Sequence, residues 1–334
     1  MQERPSWIHL DKVQNVIYIN LNSDDGKIVK LAPGADPELV DNELGLVSSR
    51  TVRPFRYIPN AGEAEGFLAL QTLLMDTAPL PLSQRYFLLC WAISAFLMPF
   101  FDDRFLLQLF GSAGSGKSQV AARLLTLFCG EVHWGNGTAV AGMRIAENNP
   151  LVVLDNVETR NLHLGTSDFL LFMANGAHKM KEKARSGPEL MFHKLNSLCM
   201  VTSIEPFPEE LPELTNRTIN LTTSRTLRQH DYRAEIARKS IREDRDLMLS
   251  AIFKLIGKRV LPCYLDDQFP HEFWWDYVFR MYDGRNKRHL YSMIIILNAV
   301  LEHLPLDGRE TLPIGEQMEI IVNDWVTILE AEAI

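Results

Sequence analysis

The chain has 334 residues, 46% of them hydrophobic and 23% charged, which gives room for one large domain or two to three smaller ones with a full core. Its formal net charge of −8 excludes a surface coated in basic residues, so any nucleic-acid contact has to come from a local patch. Four scattered cysteines (Cys90, Cys129, Cys199, Cys263) lack metal-ligand spacing and read as reduced thiols of a cytoplasmic protein, which excludes a disulfide framework.

The first residues are polar and lack the apolar core of a signal peptide. Residues 13–21 (VQNVIYINL) are dense in β-branched side chains, the turn signal Ser-Asp-Asp-Gly follows at 23–26, and 27–31 alternates. This pattern predicts a β-hairpin. The segment around Pro33, Gly34 and Pro37 reads as loop, and the pattern from 65 to 98 is helical with an interruption at Ala-Pro-Leu-Pro, 78–81. The most apolar run, 86–101, contains Pro99 and is shorter than the roughly 18 to 20 residues that cross a bilayer. It predicts a buried helix beneath a sheet and no membrane partner. Between about 103 and 222 short apolar strands alternate with helices, the pattern of a three-layer α/β domain with a mainly parallel sheet. From 225 onward apolar positions recur at helical spacing, in segments at 233–257, 274–282, 287–303 and 315–333. The resulting division is a β-rich region over 1–60, a helical lead-in and α/β core over 61–224, and a helical part over 225–334.

The chemistry concentrates in the α/β part. A strand over 105–110 runs into Gly111-Ser112-Ala113-Gly114-Ser115-Gly116-Lys117-Ser118, and a helix opens at Gln119. Loop glycines let successive N–H groups turn toward phosphate oxygens, and the helix N-terminus adds partial positive charge. Residues 111–119 are therefore expected to bind ATP, with Lys117 on the β- and γ-phosphates and the Ser118 hydroxyl on Mg²⁺. The run Leu-Val-Val-Leu-Asp155 delivers a carboxylate from the end of a buried strand, an arrangement that holds Mg²⁺ through its water shell. Asn156 follows, where many ATPases of this type place a glutamate. The water-activating role stays open between Asn156 and Glu158. The third strand, 198–203, ends in Thr202 and Ser203, of which Thr202 is the first choice for sensing the γ-phosphate. Arg217, closing LPELTNR, is placed to reach a neighbouring subunit's γ-phosphate.

The ordered set GSAGSGKS, LVVLDN, LCMVTS and LPELTNR resembles the AAA+ superfamily. Within it the chain looks most like superfamily 3 and MCM-like helicase and primase-helicase modules of phages, plasmids and other mobile elements. The resemblance implies a three-layer P-loop AAA+ core with an all-helical C-terminal lid. It also implies a ring, usually a hexamer, with ATP at subunit interfaces and single- or double-stranded DNA in the pore. Family members carry a hairpin before the third strand that reaches toward the pore. At that position this chain has Lys179, Lys181, Lys183, Arg185 and Lys194 against Glu182 and Glu189, a patch suited to phosphates, with Phe192 and His193 beside it.

The charged stretch 225–245 reads as a solvated face or subunit interface. Trp274 and Trp275 read as core or as a partner surface, and His163 and His178 are too isolated for metal ligands. The expected activity is an ATP-driven DNA helicase or translocase serving replication of a mobile element, with a replication protein as a possible partner. Two rivals stand beside it. One is an assembly switch or loader that unwinds nothing, which Asn156 and the acidic net charge favour; the other is an ATPase that remodels protein.

Overall fold

The computed structural model describes residues 6–135, 139–176, 178–182, 190–227, 233–265 and 286–330. It opens with an antiparallel sheet in the order β1-β2-β3-β4, formed by β1 (Ile8–Asp11), β2 (Val16–Asn20), β3 (Lys27–Leu31) and β4 (Glu38–Asp41). Strands β2 and β3 form the predicted hairpin, with Ile19 opposite Val29. At its turn the Gly26 N–H donates to Ser23 O at 3.3 Å. Ile17, Ile19, Val29 and Leu31 alternate onto one face and are fully buried, the period of two that a half-covered sheet demands. Strand β4 escaped the sequence reading because Glu38, Leu39 and Asp41 are exposed along an edge and show no apolar face.

Helix α1 (Glu63–Leu70) continues through one π turn, and α2 (Leu82–Ile93) continues as the 3-10 stretch Ser94–Phe100. Phe87, Trp91, Ile93 and Leu97 there are inaccessible, so the most apolar run is a core helix as its length predicts. Among the described residues no helix is long and apolar enough to cross a membrane.

A second sheet carries β5 (Leu106–Phe110), β6 (Leu151–Val157), β9 (Leu198–Ser203) and β10 (Thr218–Thr222). All pairings are parallel, in the order β10-β5-β9-β6. Helices α3 (Lys117–Cys129), α4 (Ala139–Ala146), α5 (Leu164–Ala174) and α6 (Pro212–Thr215) fall between these strands. A two-stranded ribbon, β7 (His178–Glu182) with β8 (Leu190–Lys194), precedes β9. Strand residues divide by alternation between two cores. Leu107, Leu109, Val153 and Met200 join one cluster, while Leu106, Val152, Leu154, Cys199 and Val201 join the other with Phe169 and Leu170 of α5. Covering both faces explains why these strands read as continuous apolar runs. The strand latest in sequence of β5, β6 and β9 is inserted between the other two, which sets their C-terminal ends side by side.

Helices α7 (Ala234–Leu255), α8 (Leu261–Leu265), α9 (Lys287–Leu301) and α10 (Ile314–Glu330) follow; the predicted helix over 274–282, with Trp274 and Trp275, lies outside the described residues. One hydrophobic cluster runs from Trp7, just before β1, through Trp91 and Phe128 to Trp325 of α10.

Two buried polar residues lock this cluster. His289 of α9 accepts from the Phe105 N–H through Nδ1 at 2.9 Å, which makes Nε2 the protonated nitrogen; Nε2 donates to Ser94 Oγ at 2.8 Å. The ring stacks on Phe101 at 4.6 Å. Burial, helped by the Arg104 charge, pushes its pKa down to about 3. Between that value and the unfolded value near 6.5 the unfolded chain binds a proton that the folded chain refuses, so stability falls on acidification. Unfolding measured by denaturant from pH 7 to pH 4 is expected to show a loss approaching about 1.4 kcal/mol per pH unit below pH 6.5 from this residue, and His289→Gln is expected to flatten that slope.

Arg245 of α7 was read as part of a solvated or interface stretch, and the structure corrects this: it is 4% exposed. Its guanidinium donates to Leu127 O (2.8 Å), Phe128 O (2.9 Å), Arg53 O (2.9 Å) and Pro54 O (3.1 Å), over the Phe55 ring at 4.9 Å. It thereby satisfies carbonyls at the C-terminal end of α3 that no helical N–H can reach. Other members of the stretch, Arg233 and Arg242, are exposed.

Candidate functional site

Strand β5 ends at Phe110 and the chain turns through 111–116 into α3. Gly111 and Gly116 take φ of 147° and 102°, where side chains are strained. Space excludes them too. A Cβ on Gly111 would lie 2.5 Å from Thr223 O, and one on Gly116 would lie 3.0 Å from Pro79 Cγ. The loop is wedged between the end of β10 and the Ala-Pro-Leu-Pro segment.

Lys117 heads α3 and folds back over the loop. Its Nζ donates to Gly111 O at 2.7 Å and Ser112 O at 3.0 Å. Desolvation lowers its pKa, Asp155 opposes that shift, and the Arg225 charge adds to it. Ser115 Oγ pairs with Thr223 Oγ1 at 2.7 Å. Ala113 and Gly114 form the exposed apex, and Arg225 donates to Ala113 O through Nε at 2.8 Å and through Nη2.

Beside the loop, Ser118 Oγ donates to Asp155 Oδ1 at 2.7 Å, and Thr202 Oγ1 donates to the same oxygen at 2.6 Å. Thr202 also accepts from the Asn156 N–H at 2.8 Å. The hydroxyl at the end of β9 thus ties together two adjacent residues near the end of β6. Asn156 has φ of 56° where β6 slips register against β9. Asparagine visits that left-handed region far more readily than glutamate, a local backbone reason for the residue found there. Ser203, the second choice for this role, faces away: it donates to Glu205 O at 2.6 Å and receives Gln108 Nε2 at 2.6 Å.

Gln108 was missed by the sequence reading. It sits inaccessible in the middle of β5 and also accepts from the Phe207 N–H at 3.2 Å, fixing the segment that leaves β9. A lone amide inside LLQLF was the available signal. Gln119, on the first turn of α3, is half-buried. Glu158 is exposed and precedes the 3-10 turn Thr159–Asn161, whose Arg160 pairs with Glu205 at 2.5 Å.

Not every expected residue is gathered here. Arg217 O accepts from the Leu106 N–H at the entry end of β5, whereas the loop leaves at the exit end, opposite Thr222. That separation is a strand length, roughly 16 Å. The Arg217 side chain donates to Glu213 O at 2.7 Å. Lys179 and Lys181 occupy alternate positions of β7, and Lys194 lies opposite His178 on β8; Lys183 and Arg185 lie outside the described residues. His163 caps α5 by accepting from the Gly165 N–H at 3.2 Å.

Chemically, the loop with its lysine and helix terminus is a cradle for an anion. One carboxylate oxygen with two hydroxyls on it is a hard-oxygen set, suited to a Mg²⁺ ion that keeps most of its own waters.

No family model matches the chain, and no curated protein matches it. Among solved structures, the SCCmec type IV Cch active helicase is similar over 98% of this chain and 75% of that one, at 14% identity and a TM-score of 0.49. The apo A form of the NrS-1 C-terminal region is similar over 83% of this chain and 85% of its own, at 10% identity and a TM-score of 0.40. An inhibitor-bound JCV helicase covers 73% of this chain and 66% of its own, at 13% identity and a TM-score of 0.33.

Proposed function

We propose that the chain is a AAA+ P-loop ATPase that binds ATP with Mg²⁺ and couples its hydrolysis to work on DNA as a helicase or translocase. The observation that carries this reading is the convergence of Ser118 and Thr202 on one oxygen of Asp155, beside a glycine loop crossed by Lys117. In this reading residues 111–119 cradle the phosphates. Lys117 exchanges its two loop carbonyls for β- and γ-phosphate oxygens, and Ser118 and Asp155 hold the hydrated Mg²⁺. When bound, the ion neutralises charge that develops on the transferring phosphoryl group. Thr202 orients Asp155 and reports on the γ-phosphate. Water positioning falls to Asn156, pinned next to Asp155 by Thr202, rather than to Glu158 at the exposed 3-10 turn. Arg217, a strand length from its own loop, acts on the site of the next subunit in a ring, probed by the size of the ATP-bound assembly. The helices after 225 serve as the lid over this site, and the β-rich N-terminal region packs against the core.

The DNA part of the reading rests on the cationic sequence over 179–194 of a chain that is otherwise acidic. Steady-state ATP hydrolysis with and without single-stranded DNA tests it. DNA is expected to accelerate turnover several-fold at low salt. Reversing Lys179, Lys181, Lys183 and Arg185 to glutamate is expected to remove only that acceleration, and Lys117→Ala to remove turnover altogether. Turnover indifferent to DNA, with ATP still driving assembly, would instead favour a nucleotide-controlled switch, the reading that Asn156 in place of a glutamate supports.

A further inference from the structure

The one charged side chain described on the loop apex is Arg225, which stands in the 3-10 turn Arg225–Leu227 just after β10. Two observations bear on its purpose. Both Nε and Nη2 are directed at a single backbone oxygen, that of Ala113. The guanidinium lies along Gly114, 3.6 Å from where a Cβ would stand.

A surface arginine that spends its fork on one neutral carbonyl is poorly explained as a solubility residue. It is well explained by what it does to the peptide. In a planar trans peptide the C=O of Ala113 and the N–H of Gly114 point in opposite directions. Holding that oxygen on Arg225 therefore fixes the plane of the Ala113–Gly114 peptide at the apex. Thr223, two residues earlier in the chain, holds the loop's base through Ser115 and through its N–H on Phe110 O at 2.9 Å. The end of β10 thus grips the loop at two levels.

We infer that Arg225 is a positioning residue for the phosphate loop, presetting its apex for nucleotide and coupling it to the chain segment that leads into the C-terminal helices. The inference rests on the nucleotide reading of the site. Its role is in binding, so the cost of losing it falls on affinity and not on the chemical step.

The test compares wild type, Arg225→Ala, Arg225→Lys and Lys117→Ala by equilibrium titration with ATP, by steady-state kinetics, and by amide hydrogen exchange across 111–116 without nucleotide. Arg225→Ala is expected to raise Kd and KM about tenfold, to leave kcat within about twofold, and to speed exchange at the apex. Its thermal midpoint is expected to match wild type, because the residue is exposed. Arg225→Lys is expected to recover most of the affinity, since an ammonium also reaches a single carbonyl. Unchanged affinity and exchange in Arg225→Ala would overturn the inference, as would a loss confined to kcat, which marks a group acting on the reacting phosphate. If wild type binds no ATP the nucleotide reading itself fails, and the exchange comparison still decides whether Arg225 orders the loop.

Discussion

Asp155→Asn is expected to lower kcat for ATP hydrolysis at least about 100-fold, the equivalent of roughly 2.7 kcal/mol of lost transition-state stabilisation, while the protein stays folded. The geometry separates these two outcomes. The asparagine oxygen still accepts from Ser118 at the 2.7 Å position and from Thr202 at the 2.6 Å position, so the closure between α3, β6 and β9 survives. What disappears is the negative charge, which in the proposed function attracts the ion and opposes desolvation at Lys117. Phosphate release measured against Mg²⁺ concentration, alongside ATP affinity and a thermal melt, checks the prediction. Turnover within a few-fold of wild type would remove Asp155 from the metal site. A melt far below wild type would show that the carboxylate is structural first.

The second large effect is on stability. Arg245→Met is expected to cost on the order of 4 kcal/mol, because four backbone carbonyls lose a charged donor, two of them in buried hydrogen bonds. Those carbonyls belong to two separate segments, Leu127 and Phe128 at the end of α3 and Arg53 and Pro54 after the N-terminal sheet. A lysine ammonium cannot span both, so Arg245→Lys is expected to lose most of the same energy. The nearby exposed Arg242→Ala is expected to fall within about 0.5 kcal/mol of wild type. Denaturant midpoints of the three variants give the comparison. If Arg245→Met matched Arg242→Ala, the clamp on α3 would contribute nothing and the buried charge would need another explanation.

Arg245 also shows where sequence reasoning stops. It belongs to a stretch that alternates basic and acidic residues at helical spacing, and nothing in that pattern distinguishes the one arginine turned inward from those that face water. The difference arises when α7 packs across the end of α3, a contact between segments more than a hundred residues apart. Arg225 is the same case on the outside of the molecule: its partner Ala113 lies on a loop that only the parallel pairing of β10 with β5 brings near. Gln108 likewise shows as a single polar residue in an apolar run and His289 as one more polar residue after Lys287 and Arg288, and only the structure shows which groups they satisfy.

By itself the sequence determined the glycine loop and its strand and helix, the carboxylate closing an apolar strand, the N-terminal hairpin, and the helical end of the chain. These are local features: the loop's φ of 147° and 102° calls for glycine, two-sided burial requires a continuous apolar run, and helices repeat their apolar positions every three to four residues. Tertiary structure alone decided that Thr202 and not Ser203 meets Asp155, that Arg217 stands at the far end of the sheet from its own loop, and that Asn156 occupies a left-handed kink. Each of those depends on strand order and register. Inserting β9 between β5 and β6 sends one of two adjacent side chains toward the carboxylate and the other away, and a one-residue slip would exchange them.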